Sequence, residues 1–156
     1  MKFQNVLLAS DFDGTLKNDN GEITDDVKSA IKYYMNNGGK FTVCTGRIYQ
    51  GFHLYSPEYI NAPVLLGNGA MAYDYENNKI IFNDAIESEG LPAVNAVLKA
   101  FPDISIEFYN FEKVCAVNLN KHSEQHFTSQ GINFEIVTNP EEAPLPWTKV
   151  MIAAHG

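Results

Sequence analysis

Three short apolar runs in the first 70 residues each stop at a polar or glycine-rich segment. Val6 to Ala9 runs into Asp11-Phe12-Asp13-Gly14, Lys40 to Cys44 into Thr45-Gly46-Arg47, and Pro63 to Leu66 into Gly67-Asn68-Gly69. Apolar runs of this length that do not alternate with polar residues suit strands covered on both faces, as in a parallel sheet. The stretches between them read as helices. Thr24 opens the first, with Asp25 and Asp26 in its first turn and Val27, Ala30, Ile31, Tyr34 and Met35 at helical spacing, and Asn36-Asn37-Gly38-Gly39 stops it. Ile48 to Tyr55 gives a shorter helix before Pro57. The order β-α-β-α-β implies a parallel sheet flanked by helices, with ligands taken outside the carboxyl ends of the strands. The loops after Ala9, Cys44 and Leu66 are therefore expected to lie side by side.

From Met71 the pattern changes. Met71 to Tyr75 and Lys79 to Phe82 flank Glu76-Asn77-Asn78 as an antiparallel hairpin. A boundary is expected near residue 84, dividing the chain into 1–84 and 85–156. Beyond it come a helix near Ser88 to Ala100, strands near Ile104 to Tyr109 and Val114 to Leu119, and a helix near Ser123 to Gln130. Strands near Asn133 to Val137 and Lys149 to Ala154 follow. The fold class is α/β: a partial Rossmann-like parallel core built on the first three strands, then an α+β segment.

Composition narrows the function. Of 156 residues, 45% are hydrophobic, enough for a buried core, and the net charge of -8 with only 11 Lys and Arg argues against a nucleic-acid surface. The N-terminal apolar run is too short for a signal peptide or a membrane span, so a cytoplasmic chain without membrane contact is expected. Cys44 and Cys115 sit in apolar strand-like runs without ligand spacing and read as reduced thiols.

Asp11-Phe12-Asp13-Gly14-Thr15-Leu16, directly after the first strand, carries the strongest chemical signal. Two carboxylates one residue apart on a strand-end loop point in different directions. One can attack phosphorus and hold Mg2+ while the other moves protons. Gly14 allows a sharp turn, and backbone N–H groups of the loop, Phe12 among them, can face a phosphate as an anion nest. A plain polar turn is the competing reading. A calcium loop fails, because Leu16 stands at the sixth position where such a loop needs Gly, and a strand precedes it.

Strand-DxDGT-L resembles the first signature of the haloacid dehalogenase superfamily, and Phe41 to Arg47 resembles its second, a strand ending in Thr. The ending Thr-Gly-Arg with Pro63-Val64-Leu65-Leu66-Gly67-Asn68-Gly69-Ala70 is similar to the Cof-type sugar-phosphatase branch, in which an α/β cap is inserted after the third core strand. The resemblance implies that the segment from Met71 is such a cap, incomplete here. It implies a phosphomonoester hydrolase acting on a small phosphorylated metabolite, with Asp11 forming an aspartyl-phosphate. Asp13 would protonate the leaving oxygen and then activate water. Mg2+ would be bound by the Asp11 carboxylate and the Asp13 carbonyl, while the Thr45 hydroxyl and the Gly46 N–H hold phosphoryl oxygens. Thr15 is expected to orient Asp13, and Arg47 to reach the substrate's phosphate or other polar groups. Asn68 either faces the pocket or closes a plain turn.

Other signals are weaker. Gly67 to Ala72 fits the dinucleotide pattern G-x-G-x-x-A, but a hairpin strand follows where a helix is required. Gln50 stands where a thiol phosphatase placing its nucleophile at Cys44 would need Arg. His122 and His126 share a helix face without completing a zinc site, and read as solvated. Phe101, Phe108, Tyr109, Phe111 and Trp147 read as core or pocket lining.

The family also uses, after its cap, a Lys that steadies nucleophile and phosphate and an acidic pair that completes the Mg2+ site. Neither occurs in these 156 residues at a matching place, so the chain is expected to end inside the cap, a truncated phosphatase with little activity alone. Its first strand would then present an exposed apolar edge open to self-association. The alternatives are a non-catalytic phosphate- or metal-binding module derived from such a phosphatase, and a chain that functions only with a complementary polypeptide.

Overall fold

The alternation of runs is realised as β1 (Leu7–Ser10), α1 (Asp25–Asn36), β2 (Lys40–Val43), α2 (Tyr49–Phe52) and β3 (Val64–Leu66) in a computed structural model that describes residues 2–52 and 57–154. The end of the helix expected over Ile48 to Tyr55 lies outside the described residues. Strands β1 and β2 run parallel, from Leu7 beside Lys40 to Ser10 beside Val43. A parallel bridge between Cys44 and Leu65 joins β3 to them. β3 continues into the antiparallel strands β4 (Met71–Asp74) and β5 (Lys79–Asn83).

Burial explains why the runs are apolar. Phe41, Val43, Val64 and Leu66 are almost fully enclosed. Gly39, between α1 and β2, lies against the Tyr34 ring, where a Cβ would come within 2.3 Å of it. The Tyr34 hydroxyl donates to the Val6 carbonyl at 3.0 Å, tying α1 to the entry of β1. On its other side β1 has no partner strand among the described residues, and Val6, Leu7 and Leu8 remain 49%, 62% and 49% exposed.

The chain divides into two units, Met1–Arg47 with His53–Asn83 and Ile48–Phe52 with Asp84–Gly156. Besides α2, the second unit holds α3 (Leu91–Ala100), β6 (Ser105–Tyr109), β7 (Val114–Val117), α4 (Lys121–Gln130), β8 (Glu135–Ile136) and β9 (Lys149–Ala153). Its sheet runs in the order β8-β7-β6-β9, antiparallel except for β8 beside β7. Alternation along β6 sends Ile106 and Phe108 toward Trp147 and the apolar face of α3. Tyr109 packs instead with Phe127 of α4, Ile132 and Ile48.

Glu107 is on that second face and is fully buried. The Tyr109 hydroxyl donates to its Oε2, and His126 Nδ1 lies 3.0 Å from the same oxygen. The Gln130 carboxamide meets His126 Nε2 at 2.7 Å. His126 therefore does not simply face solvent, as its helix spacing suggested it would: α4 carries it over the sheet beside a buried carboxylate, and it stays only partly exposed. Burial alone would raise the Glu107 carboxyl, but the hydrogen bonds with His126 and Tyr109 outweigh it and hold the group below its ordinary value. Burial and the Glu107 hydrogen bond both raise the Tyr109 phenol.

A depressed folded-state value means that Glu107 contributes its full stability above the ordinary glutamate value, about 4.3, and loses it as the pH falls through the lowered one. Glu107→Ala should cost about 3 kcal/mol, because it strands the His126 and Tyr109 partners. Denaturation followed by the fluorescence of Trp147, the single tryptophan, reads this directly. Wild type should lose stability more steeply than the variant below about pH 4.

Candidate active site

The loop after β1 turns at once. Asp11 is extended, Gly14 takes φ 73°, and the Leu16 and Lys17 N–H groups close the turn on the Asp11 and Phe12 carbonyls at 3.3 and 2.9 Å. Phe12 and Leu16 bury their side chains and anchor the turn, which leaves Asp11 and Asp13 facing solvent. Thr15 Oγ1 donates to Asp11 Oδ2 at 3.2 Å, so it orients Asp11 rather than Asp13 as the sequence suggested. Asp13 is oriented by Arg47 instead, whose Nε and Nη2 donate to its two carboxylate oxygens at 2.7 and 2.8 Å. The two-point pair holds the Asp13 carboxyl below its ordinary value despite partial burial, and Lys17 adds to the effect.

Backbone hydrogen bonds lock the other two loops together. Thr45 N–H donates to the Leu65 carbonyl at 2.9 Å, Asn68 N–H to the Thr45 carbonyl at 3.0 Å, and Gly67 N–H to the Arg47 carbonyl at 2.8 Å. Residues 67, 68 and 69 all have positive φ, 59°, 60° and 96°, a run that suits Gly-Asn-Gly. The turn folds the Asn68 carboxamide onto Gly46: a Cβ there would stand 2.8 Å from Asn68 Oδ1. Asn68 both forms the turn and lines the cavity below.

Asp11, Cys44, Thr45, Gly46, Asn68 and Gly69 line an open cavity of about 290 Å3 at the strand ends. Thr45 is buried, and its Oγ1 accepts the Arg47 N–H at 3.1 Å, so its own O–H remains to donate toward the cavity. Phe12, Thr15 and Arg47 support the loops and are not among the lining residues. Cys44 also lines the cavity, a place its sequence position one residue before Thr45 could have signalled. Both cysteines are free thiols.

The donors suit a hard cation in part. The Asp11 carboxylate and the Asp13 carbonyl offer oxygen atoms on one exposed loop, the donor type that Mg2+ prefers. Among the described residues no three His, Cys, Asp or Glu side chains gather to hold an ion. Two protein oxygens leave most of an octahedral shell to water and substrate.

The family model for haloacid dehalogenase-like hydrolases matches residues 8–155. A Buchnera aphidicola protein is 31% identical over 79% of this chain and 46% of its own length, and a Mycoplasma genitalium protein, MG265, is 26% identical over 89% and 50%; both carry the name "Putative phosphatase". The chain thus spans about half the length of these curated relatives. A haloacid dehalogenase-like hydrolase structure from Bacteroides thetaiotaomicron superposes with TM-score 0.81 at 19% identity, covering 94% of this chain and 57% of that one. The subclass IIB sugar phosphatase BT4131 gives 0.75 at 21%, covering 92% and 56%.

The contact between Gly46 and Asn68 is directly testable. Gly46→Ala should destabilise the chain by about 1–3 kcal/mol through overpacking, and adding Asn68→Gly should recover most of that loss. Thermal melts of the two single variants and the double variant measure the coupling.

Proposed function

Because the chain belongs to the haloacid dehalogenase-like hydrolases, we propose that it supplies the nucleophile half of a Mg2+-dependent phosphomonoesterase acting on a small phosphorylated metabolite, a sugar phosphate by resemblance. The observation that carries this reading is the convergence of Asp11, Thr45, Gly46 and Asn68 on one cavity from three strand ends.

In the first step an Asp11 carboxylate oxygen attacks phosphorus, the bond to the leaving oxygen breaks, and that oxygen takes a proton from Asp13. Water then attacks the aspartyl-phosphate with Asp13 as base, releasing phosphate and restoring Asp11. The Thr15 hydroxyl bond fixes which carboxylate oxygen is presented. The Thr45 O–H and the Gly46 N–H hold the charge that grows on the phosphoryl oxygens. Asp13 is ready as a base while Arg47 grips it, and it carries a proton as the acid only when that grip loosens. Mg2+, bound by the Asp11 carboxylate and the Asp13 carbonyl, would offset repulsion between nucleophile and phosphate. With so few protein ligands around the ion, turnover by these 156 residues alone is expected to be weak, which leaves a phosphate-binding module as the alternative.

The first chemical step is testable without turnover. Incubation with acetyl phosphate and Mg2+ should add one phosphoryl group, labile to hydroxylamine, as seen by intact mass. Thr45→Val should slow the labelling by about 10²-fold. Asp11→Asn should abolish it, and an Asp11→Asn chain that is still labelled would sink the proposal.

The exposed β1 edge supports self-association as part of the same reading. Light scattering after gel filtration should find a concentration-dependent dimer that Leu7→Lys shifts to monomer. A wild-type monomer at all concentrations would count against the edge as an interface.

A further inference from the structure

Two cations stand over the Phe12 ring: Arg47 Cζ is 5.3 Å and Lys17 Nζ 5.2 Å from its centroid. Their circumstances differ. Arg47 is matched by both carboxylate oxygens of Asp13. Lys17 forms no ion pair with any described residue, although it stands near enough to Asp13 to act on that carboxyl.

The loop that follows folds back beside Lys17. Asn18 Oδ1 accepts the Asn20 and Glu22 N–H groups at 3.0 and 2.9 Å, and Gly21 N–H donates to the Asn18 carbonyl at 2.8 Å. This closed turn brings Gly21 beside the Lys17 ammonium, where a Cβ would lie 3.8 Å from Nζ. The Lys17 side chain is only partly exposed. A cation over an aromatic face gains little at such a site. Its three N–H donors are open to water and, more strongly, to an anion.

We propose that Lys17 determines specificity by pairing with a second anionic group, carboxylate or phosphate, on the leaving-group part of the substrate. The location follows from Asp13, which serves the leaving oxygen in the mechanism above and shares the surroundings of Phe12 with Lys17. The inference rests on that reading of the cavity and narrows its substrate class, favouring a phosphorylated sugar acid or a bisphosphate over a neutral sugar monophosphate.

Three phosphonates that cannot be hydrolysed test it on the intact chain by amide NMR titration at fixed free Mg2+. Methylphosphonate offers one anionic group; phosphonoacetate adds a carboxylate and methylenebisphosphonate a second phosphonate. At least one of the two longer ligands should bind about fivefold more tightly than methylphosphonate, and which one does so identifies the anion. Lys17→Met should bring the affinity ratio to about one, whereas Lys17→Arg should keep it. Equal affinities in wild type, or a preference that survives Lys17→Met, would overturn the role of Lys17. Failure of all three ligands to bind would overturn the phosphoryl-site reading itself, and this inference with it.

Discussion

Everything at the candidate site depends on the backbone hydrogen bonds that hold three strand ends at one level. Cys44 N–H reaches the Ser10 carbonyl at 2.8 Å, Thr45 N–H reaches Leu65, and the 67–69 turn returns two N–H groups to Thr45 and Arg47. These bonds cross between segments 20 or more residues apart, so the cavity exists only once the parallel strands are in register. They also leave the side chains of Asp11 and Asn68 and the Thr45 O–H available to a ligand, because the backbone alone carries the assembly. A polar site built in this way costs little order beyond what folding has already imposed.

Charge is distributed over that frame in an uneven way. Asp11 receives one hydroxyl from Thr15, whereas Asp13 receives a two-point guanidinium and feels Lys17 as well. The two carboxylates of one short motif are thereby separated in character: Asp11 is lightly held and exposed, whereas Asp13 is held ionised and fixed in direction. Environment makes two chemically identical groups different.

The second unit shows the same reliance on context in its interior. Its sheet is lined on one face by Ile106, Phe108 and Trp147, yet on the other a carboxylate is buried at Glu107. Glu107 is tolerable there because α4 lays His126 and Ser123 over it while Tyr109 donates from the same strand. Such networks favour one arrangement of helix on sheet over its neighbours, since a shift of one residue would leave several buried polar groups without partners.

The sequence by itself determined the alternation of strands and helices in the first 70 residues, the hairpin after Met71, and the loops on which the candidate residues stand. Those features follow from hydrophobic period and turn chemistry, which are local. Only the tertiary structure decided that Thr15 serves Asp11, that Arg47 holds Asp13 across 34 positions, that Asn68 covers Gly46, and that His126 faces inward to Glu107. Each of these depends on a side chain meeting a group from a distant segment or choosing between two near neighbours. No local pattern encodes that choice; the packing of strands and helices around it does.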